Sequence, residues 1–167
     1  MIIENVINSP EAIVLVGVPG SGKSTWVKSF LAKTDKQYVI ISSDDILDNI
    51  ARERNVSYDV AWSRHVGFAQ KESKANFRKA VEDRSNIIYD QTNVARSKRM
   101  SILSQLPVEY KKIAVVFDTD DKVVEQRIKD RQAVNGKTIP PQVLKDMYKR
   151  WDEPNKSEGF DTIIKVK

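Results

Sequence analysis

Cysteine is absent from this 167-residue chain, and histidine occurs once, as His65. The first absence removes disulfide frameworks, thiolate zinc sites and cysteine nucleophiles; the second leaves too few imidazoles for a histidine-built metal centre. Glycine and proline number six each, too few for collagen-like or low-complexity chains. No apolar run approaches the ~18 residues of a membrane span, and the N-terminus lacks the basic-then-apolar pattern of a secretion signal. A cytoplasmic protein with no membrane partner is expected. What is present fits one folded domain over 1–167: 40% apolar residues is too many for a disordered chain, and the length suits a single hydrophobic core. A formal charge of +5 favours an anionic partner without identifying it. Oligomeric state is not legible.

Short apolar runs alternate with segments of helical period. The continuous apolar run at 12–16 has the character of a strand buried on both faces, and 38–41, 87–89, 113–117 and 163–166 read as four more strands. Val27, Phe30 and Leu31 follow helical spacing, and Trp26 beside them reads as core. A long helix or helix pair is expected within 57–84, with further helices at 98–106, 121–133 and 141–150, the last opening on proline. This alternation predicts an α/β fold of three layers, a five-stranded parallel sheet with helices on both faces. Ligands then bind beyond the carboxyl ends of the strands.

Gly17-Val18-Pro19-Gly20-Ser21-Gly22-Lys23-Ser24-Thr25 follows the first strand and opens a helix, a full GxxxxGK[ST] match in the context that motif requires. Gly17, Gly20 and Gly22 permit the backbone angles that let N–H groups converge on phosphate oxygens, with Pro19, Ser21 and Thr25 completing the loop. Lys23 reaches the β- and γ-phosphates, and the Ser24 hydroxyl coordinates Mg²⁺. ATP with Mg²⁺ is therefore the expected donor. No Asn-Lys-x-Asp for reading guanine is present, and the chain is short for a motor ATPase, which leaves a small P-loop kinase.

The remaining candidates sit after later strands. Ser42-Ser43-Asp44-Asp45 offers a carboxylate to take the acceptor's proton; Asp44 is assigned as that base and Asp45 as the helix cap. Asp90-Gln91-Thr92-Asn93 follows the third strand: Asp90 is placed toward Mg²⁺ or the acceptor, Thr92 and Asn93 on the acceptor, with an Asx-type turn as the plain alternative. Arg96, Lys98 and Arg99 suit a polyanionic acceptor or form a solvated basic face. Asp118 to Asp121 resembles a dehalogenase-type phosphatase motif, but Lys122 breaks the pattern and too little chain follows, so these acids read as strand end and helix cap. Arg127 and Arg131, four residues apart in a basic segment that also holds Lys129 and Lys137, either neutralise the transferring phosphoryl group from a lid at about 127–139 or pair with Glu125 and Asp130.

Together these residues resemble the 5′-hydroxyl polynucleotide kinases of phages and bacterial RNA-repair systems. The loop at 17–26 is similar down to the trailing Trp26, Ser43-Asp44-Asp45 matches the base motif, and Asp90-Gln91-Thr92-Asn93, Arg127 to Arg131 and 139–149 match the acceptor segment, the lid and the helix after it. The resemblance covers about 12–150. It implies an adenylate-kinase-like fold, ATP·Mg²⁺ as donor and the 5′-OH end of RNA or DNA as acceptor. Where the family carries an arginine three residues beyond the base, this chain has Leu47; Arg52 and Arg54 lie further along. Asp-Gln-Thr-Asn-Val is also similar to P-loop modules of certain nuclear RNA-binding proteins. A kinase of a small hydroxylated metabolite and a non-catalytic ATP- or RNA-binding module are the alternatives.

Overall fold

In the computed structural model, which describes residues 9–167, the alternating pattern becomes five strands and six α-helices among the described residues. Chain order is β1 (Glu11–Val16), α1 (Lys23–Lys33), β2 (Tyr38–Ile41), α2 (Ser43–Arg54), α3 (Tyr58–Glu82), β3 (Asn86–Tyr89), α4 (Arg96–Ser104), β4 (Lys111–Phe117), α5 (Asp121–Asn135), α6 (Pro141–Lys149) and β5 (Thr162–Val166). Every strand pairing is parallel, in the order β2-β3-β1-β4-β5. The expected three-layer α/β sheet is thus observed. Residues 1–8 of the expected single domain lie outside the described residues.

Strand alternation sorts β1 between two cores. Ala12 and Val14 join Phe77, Tyr89 and Ile102 beneath α3 and α4, whereas Ile13 and Leu15 join Val27, Val115 and Phe117 beneath α1. All four of these β1 side chains are at most 3% exposed, each contributing about 1.5–3 kcal/mol by burial where the side chain is large. Trp26 is half-buried and packs against the second core: it stacks on Phe30 at 4.9 Å and meets Phe117 edge-on at 6.1 Å. A third cluster, Val18, Val94, Val124 and Leu144, fastens α5 and α6 over the first loop.

The segment 57–84 resolves into a single helix, begun at Ser57, whose hydroxyl accepts from the Val60 N–H. β1 lies between β3 and β4 where the connections change direction, so the loops after β1, β2 and β3 open into one crevice. No helix among the described residues is long and apolar enough to cross a membrane.

Candidate active site

The loop after β1 is built around backbone that side chains would spoil. Gly20 and Gly22 have φ of 80° and 101°, a region where a Cβ is strained. A Cβ on Gly17 would stand 2.6 Å from Ser21 Oγ and 3.0 Å from Phe117 Cβ. The Gly17 N–H donates to the Thr92 carbonyl at 2.9 Å, tying this loop to the one after β3. Gly22 begins α1, whose first turn carries no acid, so its free N–H groups meet the cleft uncompensated.

Lys23 Nζ donates to the Gly17 and Val18 carbonyls at 2.8 and 3.0 Å. Burial pushes its pKa down to about 8, helped by Arg131 and Lys137 and opposed by Asp90 and Asp44. An anionic phosphate would restore the full charge. The glycine cradle, the buried Ser21 Oγ without a partner, and this under-compensated lysine all fit a nucleoside triphosphate. Among the described residues no group of three or more acidic, histidine or cysteine side chains is arranged to hold a metal alone. Ser24 and Asp90 both line the cleft and would hold a Mg²⁺ ion brought in by the phosphates.

The carboxylates come from α2 and the end of β3. Ser42, rather than Asp45, caps α2: its hydroxyl accepts from the Asp45 N–H at 3.1 Å, which corrects the cap assignment. An oxygen on the residue before the helix reaches the free N–H groups, while Asp45 already lies inside the first turn. Asp44 projects into the cleft, its side chain 56% exposed. One carboxylate oxygen accepts from Tyr58 OH at 2.6 Å and the other from Lys137 Nζ at 2.5 Å. Desolvation by the cleft walls alone would raise its pKa, but Lys137, Tyr58 and Lys23 outweigh that and hold it below the ordinary carboxylate value. Asp45, Asp48 and Asp90 are pushed the other way, in each case first by desolvation.

Lys137 is the residue the sequence reading left without a role of its own. It is 9% exposed and its ammonium stands 4.4 Å from the centre of the Tyr58 ring. The local signal was the Asn135-Gly136 helix stop before it; its partner Asp44, 93 residues away, carried none.

Other assignments move. Asn93 is 2% exposed at φ 48°, and its amide donates to the Leu15 carbonyl at 2.8 Å. It supports the loop instead of facing an acceptor, while Thr92 lines the cleft. Arg99 is fully buried: Nε and Nη2 grip Glu158 at 2.8 and 2.7 Å, and Nη1 donates to the Asn93 and Val94 carbonyls. It is no part of a basic face. The structure does not bring Arg96 to the cleft; Arg96 is exposed at the start of α4, with its N–H on Asp152.

Leu47 is 1% exposed against Tyr58 and Ala69, so an arginine there would point into the helix interface and not at an acceptor. Asp48 occupies the cleft-facing position one turn beyond Asp44. Arg52 and Arg54 lie in the last turn of α2, remote from Asp44, and Arg52 bonds Asn49. On α5, Arg131 lines the cleft, while Arg127 donates to the Gly20 carbonyl at 3.1 Å from outside the loop. Among the described residues neither forms the ion pair with Glu125 or Asp130.

Residues 13–154 match the AAA_33 family model, an AAA domain. The chain is 29% identical over 154 residues to an L-seryl-tRNA(Sec) kinase of Methanococcus maripaludis, covering 89% of this chain and 55% of that protein. It is 24% identical to the human heterogeneous nuclear ribonucleoprotein U-like protein 2, covering 94% of this chain and 21% of that protein. The chain therefore spans about half, or less, of the length of these relatives. A chain of the Pnkp1/Rnl/Hen1 RNA repair complex shares the fold, with a TM-score of 0.64 and 24% identity over 84% of this chain and 43% of that one.

Proposed function

Since the chain belongs to the AAA_33 family of AAA domains, with a P-loop kinase fold, we propose that it is an ATP-dependent kinase of 5′-hydroxyl nucleic-acid ends. The acceptor oxygen attacks the γ-phosphorus, the bond to the β,γ-bridging oxygen breaks, ADP leaves, and the hydroxyl proton passes to Asp44. Lys23 and the N–H groups of Gly22, Lys23 and Ser24 at the start of α1 hold the phosphates. Ser24 and Asp90 would hold Mg²⁺, which would supply charge neutralisation on the phosphates. Arg131 faces the transferring group from the cleft side, and Arg127 acts through the Gly20 carbonyl.

The observation that carries the acceptor class is a pair of neighbouring grooves beyond Asp44. A groove of about 460 Å³ runs past Tyr58, Thr92, Val143 and Met147, with Trp62 51% exposed on its wall. A second groove shares Thr92 and Met147 with it and carries Lys98, Lys149 and Arg150, with Asp152 beside them. A hydroxyl, then a flat apolar surface, then positive charge is the order in which a strand presents its end, its base and its phosphates. A tRNA kinase and a ribonucleoprotein among the relatives, with a chain of an RNA repair complex that shares the fold, support RNA as the acceptor.

Incubation with γ-labelled ATP and a panel of 5′-OH RNA, 5′-OH DNA, nucleosides and sugars tests this reading. Oligonucleotides should be labelled best, with KM rising steeply with salt, and neutralising Lys98, Lys149 and Arg150 together should flatten that slope. A second reading, a kinase of a small hydroxylated metabolite, is favoured by the acids Asp45, Asp48 and Asp90 around the cleft. Equal labelling of a sugar, with no salt effect, would put that reading first.

A further inference from the structure

The lysine on Asp44 is placed on backbone that does not need it there. Gly136 ends α5 at φ 70°, and a Cβ added to it would lie 3.1 Å from Ser57 Cβ, so the chain turns tightly against the start of α3. Asn135 Oδ1 accepts from the Lys137 N–H at 3.0 Å, and Asp59 Oδ1 accepts from the Thr138 N–H at 2.9 Å. The main chain is thus held on both sides of Lys137. Its four-carbon stem is the part left to move, carrying a compact charge with three donors.

Around that ammonium the cleft offers two destinations. One is the Asp44 carboxylate, where it rests, with Tyr58 beneath. The other is the space lined by Lys23, Ser24 and Arg131, where the loop after β1 gathers phosphate. The charged and titratable groups facing it are Asp44, Asp45 and Asp48 from α2, Tyr58 from α3, Asp90 from the loop after β3, Lys23 from α1 and Arg131 from α5. Before a donor arrives, acids are the best partners in reach; a triphosphate brings more negative charge than any of them.

We propose that Lys137 is a donor-gated positioning residue: it clamps Asp44 while nucleotide is absent, and it passes to the γ-phosphoryl oxygens when ATP binds. This rests on the kinase reading above. The exchange does two things at once. It frees Asp44 from its counter-charge, so that the carboxylate takes the proton from the acceptor hydroxyl as the oxygen–phosphorus bond forms and the bond to ADP breaks. It also sets positive charge beside the three equatorial oxygens of the transferring group, where charge is spread in the transition state. The base is then fully basic only with the donor in place.

A double-mutant cycle read in binding alone tests this. The dissociation constant of a non-hydrolysable ATP analogue with Mg²⁺ is measured for the full chain, Asp44→Asn, Lys137→Gln and the double variant, without acceptor. If Lys137 changes partners, Asp44 competes with the nucleotide for it. Asp44→Asn should then tighten binding by at least about threefold more in the wild-type background than in Lys137→Gln. An equal or larger gain in Lys137→Gln overturns the proposal.

Should Lys137→Gln fail to fold, Lys137→Arg keeps the charge and gives the same decision. A guanidinium grips the carboxylate with two bonds, so the analogue should bind more weakly than to wild type and Asp44→Asn should restore it. Unchanged affinity in Lys137→Arg overturns the exchange. A wild-type chain that binds no nucleotide removes the kinase reading and this proposal together. Binding with the wrong sign of coupling removes this proposal alone.

Discussion

Two ion pairs in this molecule join the same kinds of group and differ in how completely they are satisfied. Arg99 and Glu158 have side chains 0% and 1% exposed, joined by two parallel bonds, and Glu158 also accepts from the Asn155 N–H. Nη1 also donates to the Asn93 and Val94 carbonyls, so four of the five guanidinium N–H groups are bonded. Lys137 and Asp44 are 11% and 56% exposed, and a single ammonium contact joins them. The first pair is close to saturated. The second keeps donors on Nζ and lone pairs on the carboxylate.

Burying charge costs several kcal/mol per ion unless every donor and acceptor is met. The Arg99 pair comes close to that condition and locks the loop after β3 to the turn at 156–158, and through Thr92 to the loop after β1. The Lys137 pair fails it by design of the cleft, and unmet capacity is what a substrate can use. Satisfaction, more than burial, separates charge that builds the fold from charge available for chemistry.

The largest expected effect tests whether the open pair is chemical at all. Asp44→Asn keeps shape and hydrogen bonding but removes the proton acceptor, so single-turnover transfer should fall by about 10²–10⁴, with nucleotide affinity retained or improved. Transfer at the wild-type rate would make this pair as structural as its counterpart.

The next effect is on stability. Arg99→Ala leaves Glu158 buried without its partner, and urea unfolding should show a loss of about 3–5 kcal/mol. Replacing both residues with apolar side chains of similar volume should recover most of that. A loss below about 1 kcal/mol, the range of exposed pairs, would erase the contrast between the two.

A smaller loss should follow from Leu47→Arg. Overpacking alone costs about 1–3 kcal/mol in a filled core, and Leu47 is buried between α2 and α3. The midpoint of thermal unfolding should fall. An unchanged midpoint, with a lower KM for oligonucleotides, would mean the side chain escapes toward the acceptor.

These cases show which features could be read from the chain alone. The loop at 17–25, the five strands and the position of Asp44 depend on neighbours in sequence: a spacing, an alternation, a residue at a strand end. Local rules reach that far. Arg99 looked like surface charge because Glu158, which buries it, lies 59 residues on. Asn93 looked like an acceptor contact because the Leu15 carbonyl it holds is 78 residues back. Lys137 was one basic residue among several until the fold set it on Asp44. Leu47 occupied the position of a family arginine, yet the helical register turned that position inward. Spacing along the chain placed the loop; side-chain direction waited on packing.

The smallest effect sharpens the comparison within two adjacent residues. Asp44 has a carboxyl pKa below the ordinary 3.8, so its ionised form stabilises the fold at neutral pH, and that contribution is lost as pH falls through its folded value. Asp45 has a pKa above 3.8, raised by desolvation first and then by Asp48 and Asp44, so the fold favours its protonated form. Its charge therefore destabilises the folded protein above the folded pKa, and this strain is relieved as pH falls toward 3.8. Asp45→Asn should raise stability near neutral pH by about 0.2–1 kcal/mol, the scale of exposed charge interactions, and the gain should shrink in mildly acidic buffer. Asp44→Asn should lower stability near neutral pH, with the loss shrinking at lower pH still. The sign comes from the partner: Lys137 reaches Asp44, while Asp45 faces other acids. Urea unfolding of both variants near neutral pH and near pH 4 reads the two signs. Should both shift stability the same way, the lysine would not be distinguishing one carboxylate from the next.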